Sequence, residues 1–206
     1  MRTFGEIMFT QAVAAEQEKE GSRANYAKIA ARPAPSGLGG PEIEFIGGRD
    51  SFFLATVTET GWPYVQHRGG PRGFLKVLSP TRIGFADYRG NRQFVSTGNI
   101  KKDDRAALFL MDYVNKRRLK ILARATVAPA SDAPDLAHSL QIDGGGKVER
   151  LFTFDIEAFD WNCPQFITPR FTGDEIAAAV GARITGLEAE NADLKARLHA
   201  LTSANS

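Results

Sequence analysis

Residues 64–78, YVQHRGGPRGFLKVL, read as two β-segments with a break between them. Gly69 and Gly70 stand in the break, and Pro71 follows them. Glycine weakens the interior of a strand and proline cannot donate to a sheet ladder. The break therefore predicts a bulge, a bend or a stretch of backbone that a ligand approaches. A polar hairpin tip is the alternative interpretation of the same residues.

Short β-type runs continue on both sides of this stretch. They cover residues 51–58, 64–68, 74–78, 82–87, 105–113, 119–128 and 150–161. The connectors ETGWP, SPTR and VNKRR are short and polar, which favours antiparallel pairing and closure into a barrel over βαβ crossovers. The predicted fold class is mainly β, an antiparallel barrel with flanking helices.

Helix-forming sequence surrounds these runs. Thr10 can cap an alanine- and glutamate-rich helix that ends near Gly21, and the proline- and glycine-rich residues 32–42 predict a linker. A short helix is predicted at residues 133–141, and helix-forming residues at heptad spacing begin at Thr172. We predict three parts, which are an N-terminal helix and linker (1–40), a barrel (41–171) and a helical tail (172–206).

Composition and charge narrow the classes of protein. The chain has 206 residues with 26 basic and 24 acidic side chains, and this balance does not predict a nucleic-acid partner. Cys163 is the single cysteine, so this chain alone can form neither an internal disulfide nor a cysteine-based metal site. The N-terminus lacks the layout of a signal peptide, and no apolar run approaches the ~20 residues of a membrane span. We expect a cytoplasmic protein.

Three stretches together resemble the pyridoxamine 5′-phosphate oxidase-like family of FMN-binding split barrels. They are HRGGPRGFLKVL (67–78), FADYRGNRQFVSTGNIKKDDRAALFLMD (85–112) and WNCPQFITPRF (161–171). The resemblance covers roughly residues 10–172 and rests on the combination of the three stretches. It implies a split-barrel homodimer in which FMN lies in a groove lined by both chains.

The resemblance also implies cofactor contacts in all three stretches. The implied contacts are Arg68, Lys76, Asn91, Arg92, Ser96 and Asn99, with Arg68, Arg92 and Ser96 at the phosphate end. Gln165 and Arg170 belong to the last stretch, which the resemblance places near the flavin or its substrate side. Such residue types suit a phosphate dianion, which needs guanidinium, ammonium, hydroxyl and backbone N–H donors that converge on one point. We add Gly69, whose backbone a ligand could approach. We also add His67, which could donate to a flavin or act as an acid, or could merely pack or point to solvent.

The predicted function follows from the cofactor. We expect an FMN flavoprotein that transfers electrons or hydride between FMN and a small-molecule substrate, and no side chain is nominated as catalytic because the flavin carries the chemistry. The alternative is a non-catalytic carrier of a flavin, a deazaflavin or heme. For heme, the candidate axial ligands are His67, His138 and His199.

The tail carries a heptad pattern in residues 184–201, ITGLEAENADLKARLHAL. Position a holds Ile184, Asn191 and Leu198, and position d holds Leu187, Leu194 and Leu201. Leucine at every d position and one asparagine at a central a position predict a parallel two-stranded coiled coil. The alternative is an amphipathic helix that packs on its own barrel.

Overall fold

The structure is a computed structural model that describes residues 1–161 and 164–204. Contacts divide the chain into two compact units. The first contains Met1–Asp112 and Lys116–Gln165, and the second contains Tyr113–Asn115 and the chain from Phe166 onward. No helix in the described part is both long and apolar enough to cross a membrane.

Seven antiparallel strands form one sheet in the first unit. They are β1 (Ser51–Val57), β2 (Pro63–Gly69), β3 (Lys76–Ser79), β4 (Arg82–Tyr88), β5 (Arg105–Asp112), β6 (Arg117–Pro129) and β7 (Val148–Trp161), in the order β2-β1-β5-β6-β7-β4-β3. Each predicted β-type run forms one of these strands, which confirms the predicted fold class.

The two edge strands, β2 and β3, are consecutive in the sequence. Only residues 70–75 join them. A link of this length spans at most about 24 Å, whereas the outer strands of a flat seven-stranded sheet would lie roughly 29 Å apart. The sheet therefore curls, and Arg68 of β2 contacts Asp87 of β4 directly. No ladder pairs β2 with β3 among the described strands, so the barrel is split along this line, which we call the seam.

The break in the opening stretch is the bend that crosses the seam. Phe74 and Leu75 follow it and are buried in the core, where Phe74 stacks on Phe52 at a centroid distance of 5.7 Å. A Cβ at Gly70 would meet the Phe74 ring at 2.8 Å, and Gly73 has a φ of +81°. Glycine is needed at both positions, and the hairpin-tip interpretation is wrong because β2 and β3 are not paired.

Six α-helices flank the sheet among the described residues of the first unit, and one α-helix forms most of the second. They are α1 (Phe4–Met8), α2 (Gln11–Lys19), α3 (Arg23–Ala30), α4 (Gly40–Gly47), α5 (Val95–Lys102), α6 (Pro134–Leu140) and α7 (Gly173–Ala204). Thr10 caps α2 as predicted, since its side chain accepts a hydrogen bond from the Val13 N–H. The predicted linker is partly wrong, because α4 begins inside it with proline in its first turn.

Candidate functional site

A polar pocket lies at the seam side of the barrel, between β2, the loop after β4 and the first turn of α5. We call it the arginine pocket. It encloses about 70 Å³, roughly five times the 10–15 Å³ that one water needs. Its walls are Tyr64, Gln66, Arg68, Asp87, Tyr88, Gly90, Asn91, Arg92, Gln93, Phe94, Val95, Ser96, Thr97 and Arg150.

Strand β2 contributes every second side chain to this pocket. Side chains of a strand alternate between its two faces, so Tyr64, Gln66 and Arg68 share the face that lines the pocket. His67 lies on the opposite face, where it is exposed and meets the Phe53 ring edge-on at 5.8 Å. The structure does not bring His67 to the arginine pocket.

Three arginines and two carboxylates form a connected ion-pair network at the pocket. Asp87 joins two strands, because its Oδ1 lies 2.9 Å from Arg68 Nη1 and its Oδ2 lies 2.7 Å from Arg150 Nη2. Glu149 extends the network, with Oε2 at 3.3 Å from Arg150 Nη2 and Oε1 at 3.5 Å from Arg92 Nη2. Three guanidiniums against two carboxylates leave the network with one net positive charge.

Aromatic rings hold two of these guanidiniums in place. The Arg68 guanidinium lies over Phe152 and Phe85, at 5.0 and 5.5 Å from the ring centroids. The Arg150 guanidinium lies 4.6 Å from the centroid of Phe94. These cation–π contacts attract each guanidinium to the face of its ring and so favour one position for it. Within the described residues, Arg68 Nε is also a buried donor that has no hydrogen-bond partner.

Helix α5 points its N-terminus at the same pocket. Among the described residues no side chain caps this end, and its first residues Val95, Ser96 and Thr97 line the pocket. The first N–H groups of a helix have no partner within the helix, and together with the positive end of the helix dipole they favour an anion. Arg92 and Phe94, in the preceding loop, have φ of +61° and +55°, which is uncommon for residues other than glycine.

Two predicted residues of α5 have different surroundings. Ser96 is only 1% exposed and donates to Gln66 Oε1 at 2.8 Å, so it is held at the pocket wall. Asn99 lies on the same face of α5 and is also buried. Its Nδ2 donates to Thr56 Oγ1 at 2.9 Å, and Asn99 does not line the arginine pocket.

Lys76 lies outside the arginine pocket as well. Its ammonium group donates to the carbonyl oxygen of Ser139 at 2.7 Å and to that of Gln141 at 3.4 Å. These carbonyls belong to the C-terminal end of α6, where a cation satisfies unpaired acceptors and the helix dipole. The structure therefore gives Lys76 a local role at the end of a helix.

The remaining predicted residues are spread over the chain. Gly69 lines an apolar cavity of about 190 Å³ that shares Arg68 and Asp87 with the arginine pocket. Gln165 is exposed at the end of the first unit, and Asn91 lines the arginine pocket and accepts from the Gln93 N–H at 3.1 Å. In the second unit, the exposed Arg170 guanidinium lies 4.9 Å from the centroid of the Tyr113 ring. Cys163 lies outside the described residues.

Sequence reasoning missed three central residues of the pocket. Gln66 follows from the period of β2, since it stands two residues before Arg68. Asp87 and Arg150 are partners in the ladder of β4 with β7, and only the strand register brings them together. No group of three or more potential metal ligands occurs in residues 1–161 and 164–204.

Comparisons with known proteins bear on the same part of the chain. A family model described as pyridoxamine 5′-phosphate oxidase matches residues 43–148, just over half of the sequence. No curated protein matches.

Three solved structures are similar to this chain at low sequence identity. An FMN-binding protein from Syntrophomonas wolfei is 12% identical, with 71% of this chain and 97% of that chain covered and a TM-score of 0.45. A protein from Clostridium acetobutylicum, related to general stress protein 26 and described as of the pyridoxinephosphate oxidase family, is 16% identical (65% and 92% covered, TM-score 0.43). An F420 reductase is 16% identical (57% and 94% covered, TM-score 0.41).

Proposed function

Because the chain belongs to the pyridoxamine 5′-phosphate oxidase family, we propose that it binds FMN, with the phosphate in the arginine pocket, and acts as an FMN-dependent oxidoreductase on a small molecule. One observation carries the proposal. Three guanidiniums and the uncapped N-terminus of α5 converge on a single pocket of about 70 Å³. This donor set suits a phosphate group.

Charge favours an anion at this place. The network has one net positive charge before any ligand binds, and the N-terminal end of α5 adds a partial positive charge. Arg92 is 54% exposed and its partner Glu149 is 3.5 Å away. It is therefore the guanidinium that a phosphate can recruit at the lowest cost, since a loose and solvated pair contributes little.

Each side chain has a distinct part in holding the phosphate. Arg92 and the N–H groups of the first α5 turn would donate directly to its oxygens. Ser96 would orient the pocket wall through its hydrogen bond to Gln66. Arg68, fixed on Phe85 and Phe152, supplies charge at the base of the pocket.

The flavin ring would lie outside the enclosed volume, where a second copy of the chain can cover it. Apolar side chains are exposed on the β1–β2 hairpin, with Trp62 at 74% and Val65 at 61%. Val65 lies on the face of β2 opposite to the arginine pocket, so this exposed apolar surface supports a contact between two chains but does not itself cover the pocket. We therefore include a homodimer in the proposal, and the sharing of the flavin between its two chains follows from the family resemblance.

Bound FMN would supply the hydride or electron chemistry, and this chain would bind and orient it. The pocket selects for a phosphate more than for a particular ring, so a phosphate-bearing deazaflavin is the second candidate. A cytoplasmic location would suit either cofactor.

A titration with four ligands tests the proposal. We expect the purified protein to bind FMN and to bind riboflavin, which lacks the phosphate, about tenfold to a hundredfold more weakly, because charge-assisted hydrogen bonds contribute ~1.5–3 kcal/mol. F420 and hemin are the two other ligands. Equal affinity for FMN and riboflavin would contradict the phosphate site, and tight binding of hemin alone would contradict the flavin.

A matched pair of variants tests the residue assignment. Arg92→Ala should weaken FMN binding by about tenfold or more. Arg89→Ala is the control, because Arg89 stands in the same loop, is exposed and does not line the arginine pocket. NADH- or NADPH-driven reduction of the bound flavin, followed at its visible absorption band, then separates an oxidoreductase from a carrier.

A further inference from the structure

The second unit offers an interaction surface that is independent of the flavin site. Helix α7 runs without interruption over Gly173–Ala204. Its start is fixed by a capping box, in which the Glu175 N–H donates to Thr172 Oγ1 at 3.3 Å and the Thr172 N–H donates to Glu175 Oε2 at 2.9 Å. A helix of this length extends about 48 Å, which is long enough to present several heptads.

One stripe of α7 is apolar and exposed. Its apolar members are between 46% and 65% exposed, and they are Ile184, Leu187, Leu194, Leu198 and Leu201. Asn191 continues the stripe at its centre. Contiguous exposed apolar side chains mark an interaction site. Spacings of alternately three and four residues between them are the pattern of a coiled-coil interface.

From this stripe and its flanks we infer that α7 pairs, parallel and in register, with α7 of a second copy of this chain. The flanking charges identify the partner. In a parallel pair, position g of one helix faces the following e position of the other. Arg183 then faces the partner's Glu188, and Glu190 faces the partner's Lys195. Both pairs attract, so the helix is complementary to itself.

Asn191 decides the orientation. In a parallel pair an a residue meets the same a residue of the partner, so the two Asn191 amides can hydrogen-bond to each other. An antiparallel pair would instead bury Asn191 against leucine, and an unpaired buried amide is costly. A register shifted by one heptad is disfavoured for the same reason, because it would bury the amide against an aliphatic side chain.

The short length of the apolar stripe on α7 makes pairing dependent on a second contact. Three heptads form a marginal coil, and Gly181 and Gly186 weaken the helix further. A contact between the first units of the same two chains would hold the helices at a high effective concentration. The inference concerns the second unit only and does not depend on which cofactor the first unit binds.

Cysteine crosslinking of the full chain tests the pairing. In a Cys163→Ser background, Leu194→Cys places a thiol on the apolar stripe of α7, and Ala196→Cys places one on the opposite face of the helix. Under mild oxidation we expect Leu194→Cys to run as a covalent dimer on a non-reducing gel and Ala196→Cys to stay monomeric. Both positions are exposed, so neither variant should prevent folding.

A third variant tests the orientation. Leu201→Cys should crosslink as readily as Leu194→Cys in a parallel pair, whereas an antiparallel pair that sets Asn191 against Leu194 would hold the two copies of residue 201 about 25 Å apart. Crosslinking at 194 without crosslinking at 201 would overturn the parallel arrangement. If neither Leu194→Cys nor Leu201→Cys crosslinks faster than Ala196→Cys, the pairing is wrong. This holds whether light scattering finds a monomer or a dimer.

Discussion

Replacing Asp87 by asparagine should make the protein less stable and more responsive to phosphate. Asp87 joins Arg68 and Arg150 with contacts of 2.9 and 2.7 Å, so its carboxylate is what allows two guanidiniums to lie side by side at the seam. Asp87→Asn keeps the shape of the side chain and removes the charge. The network then carries two net positive charges in place of one.

The expected size of the effect follows from the burial of the three side chains. Removing one partner of a fully buried ion pair costs about 3–5 kcal/mol. The side chains of Arg68, Asp87 and Arg150 are 18%, 13% and 19% exposed, and asparagine retains one acceptor oxygen. We therefore expect a loss of about 2–3 kcal/mol in the free energy of unfolding. In a protein of this size, the loss corresponds to a Tm lower by about 4–12 °C.

Thermal unfolding with and without inorganic phosphate measures both consequences. Phosphate should raise the Tm of Asp87→Asn more than that of the parent protein, because an anion replaces the missing carboxylate. Asp155→Asn is the control. Asp155 pairs with Arg82 at 3.4 Å and is 58% exposed, so its loss should cost less than about 1 kcal/mol. An unchanged Tm for Asp87→Asn, or equal phosphate shifts in variant and parent, would refute the reasoning.

Three more predictions concern single contacts. Lys76→Met should lower the free energy of unfolding by about 1 kcal/mol, because its hydrogen bonds to carbonyls at the end of α6 are lost. A fluorescence titration should show an unchanged affinity for FMN. A tenfold loss of that affinity would mean that Lys76 contacts the cofactor. Gly186→Ala should stabilise α7 by up to ~1 kcal/mol in thermal melts followed by circular dichroism, since a Cβ there meets no described atom within 4 Å beyond the adjacent backbone of the helix. A lower melting temperature would contradict this. Hydrogen bonds from Arg105 hold the pKa of Asp103 at about 2, below its ordinary 3.8. The stability that this carboxylate contributes is therefore present above about pH 4 and is lost as the pH falls toward 2. Urea unfolding of Arg105→Ala should therefore show a deficit against the parent at pH 5 that vanishes near pH 2, and a deficit independent of pH would contradict the pairing.

The strands and the family could be predicted because their signals are local. Polar connectors separate the seven apolar runs, and three short stretches carry the family resemblance. The sequence also predicts which face of a strand each side chain lies on, because the neighbouring residues 67 and 68 of one strand point to opposite faces. Counting that alternation would have separated His67 from Arg68.

The rest of the site depends on contacts between distant residues. The ladder of β4 with β7 sets Asp87 opposite Arg150, and no pattern near either residue indicates this register. Lys76 alternates out of an apolar run, but only the position of α6 supplies its carbonyl partners. Ser96 and Asn99 share one face of α5, yet the Asn99 side chain donates its hydrogen bond to Thr56 of β1.

The seam has a consequence for how a ligand reaches the arginine pocket. Separating β2 from β4 would break the Arg68–Asp87 ion pair and some ring contacts, while every ladder hydrogen bond between β6 and β7 stays intact. Partial openings of this kind require less free energy than global unfolding. The amides of β2 should then exchange with solvent deuterium sooner than those of β6. Under the proposed function, the phosphate-bearing cofactor would enter and leave through this local opening, on a timescale much shorter than the lifetime of the folded barrel.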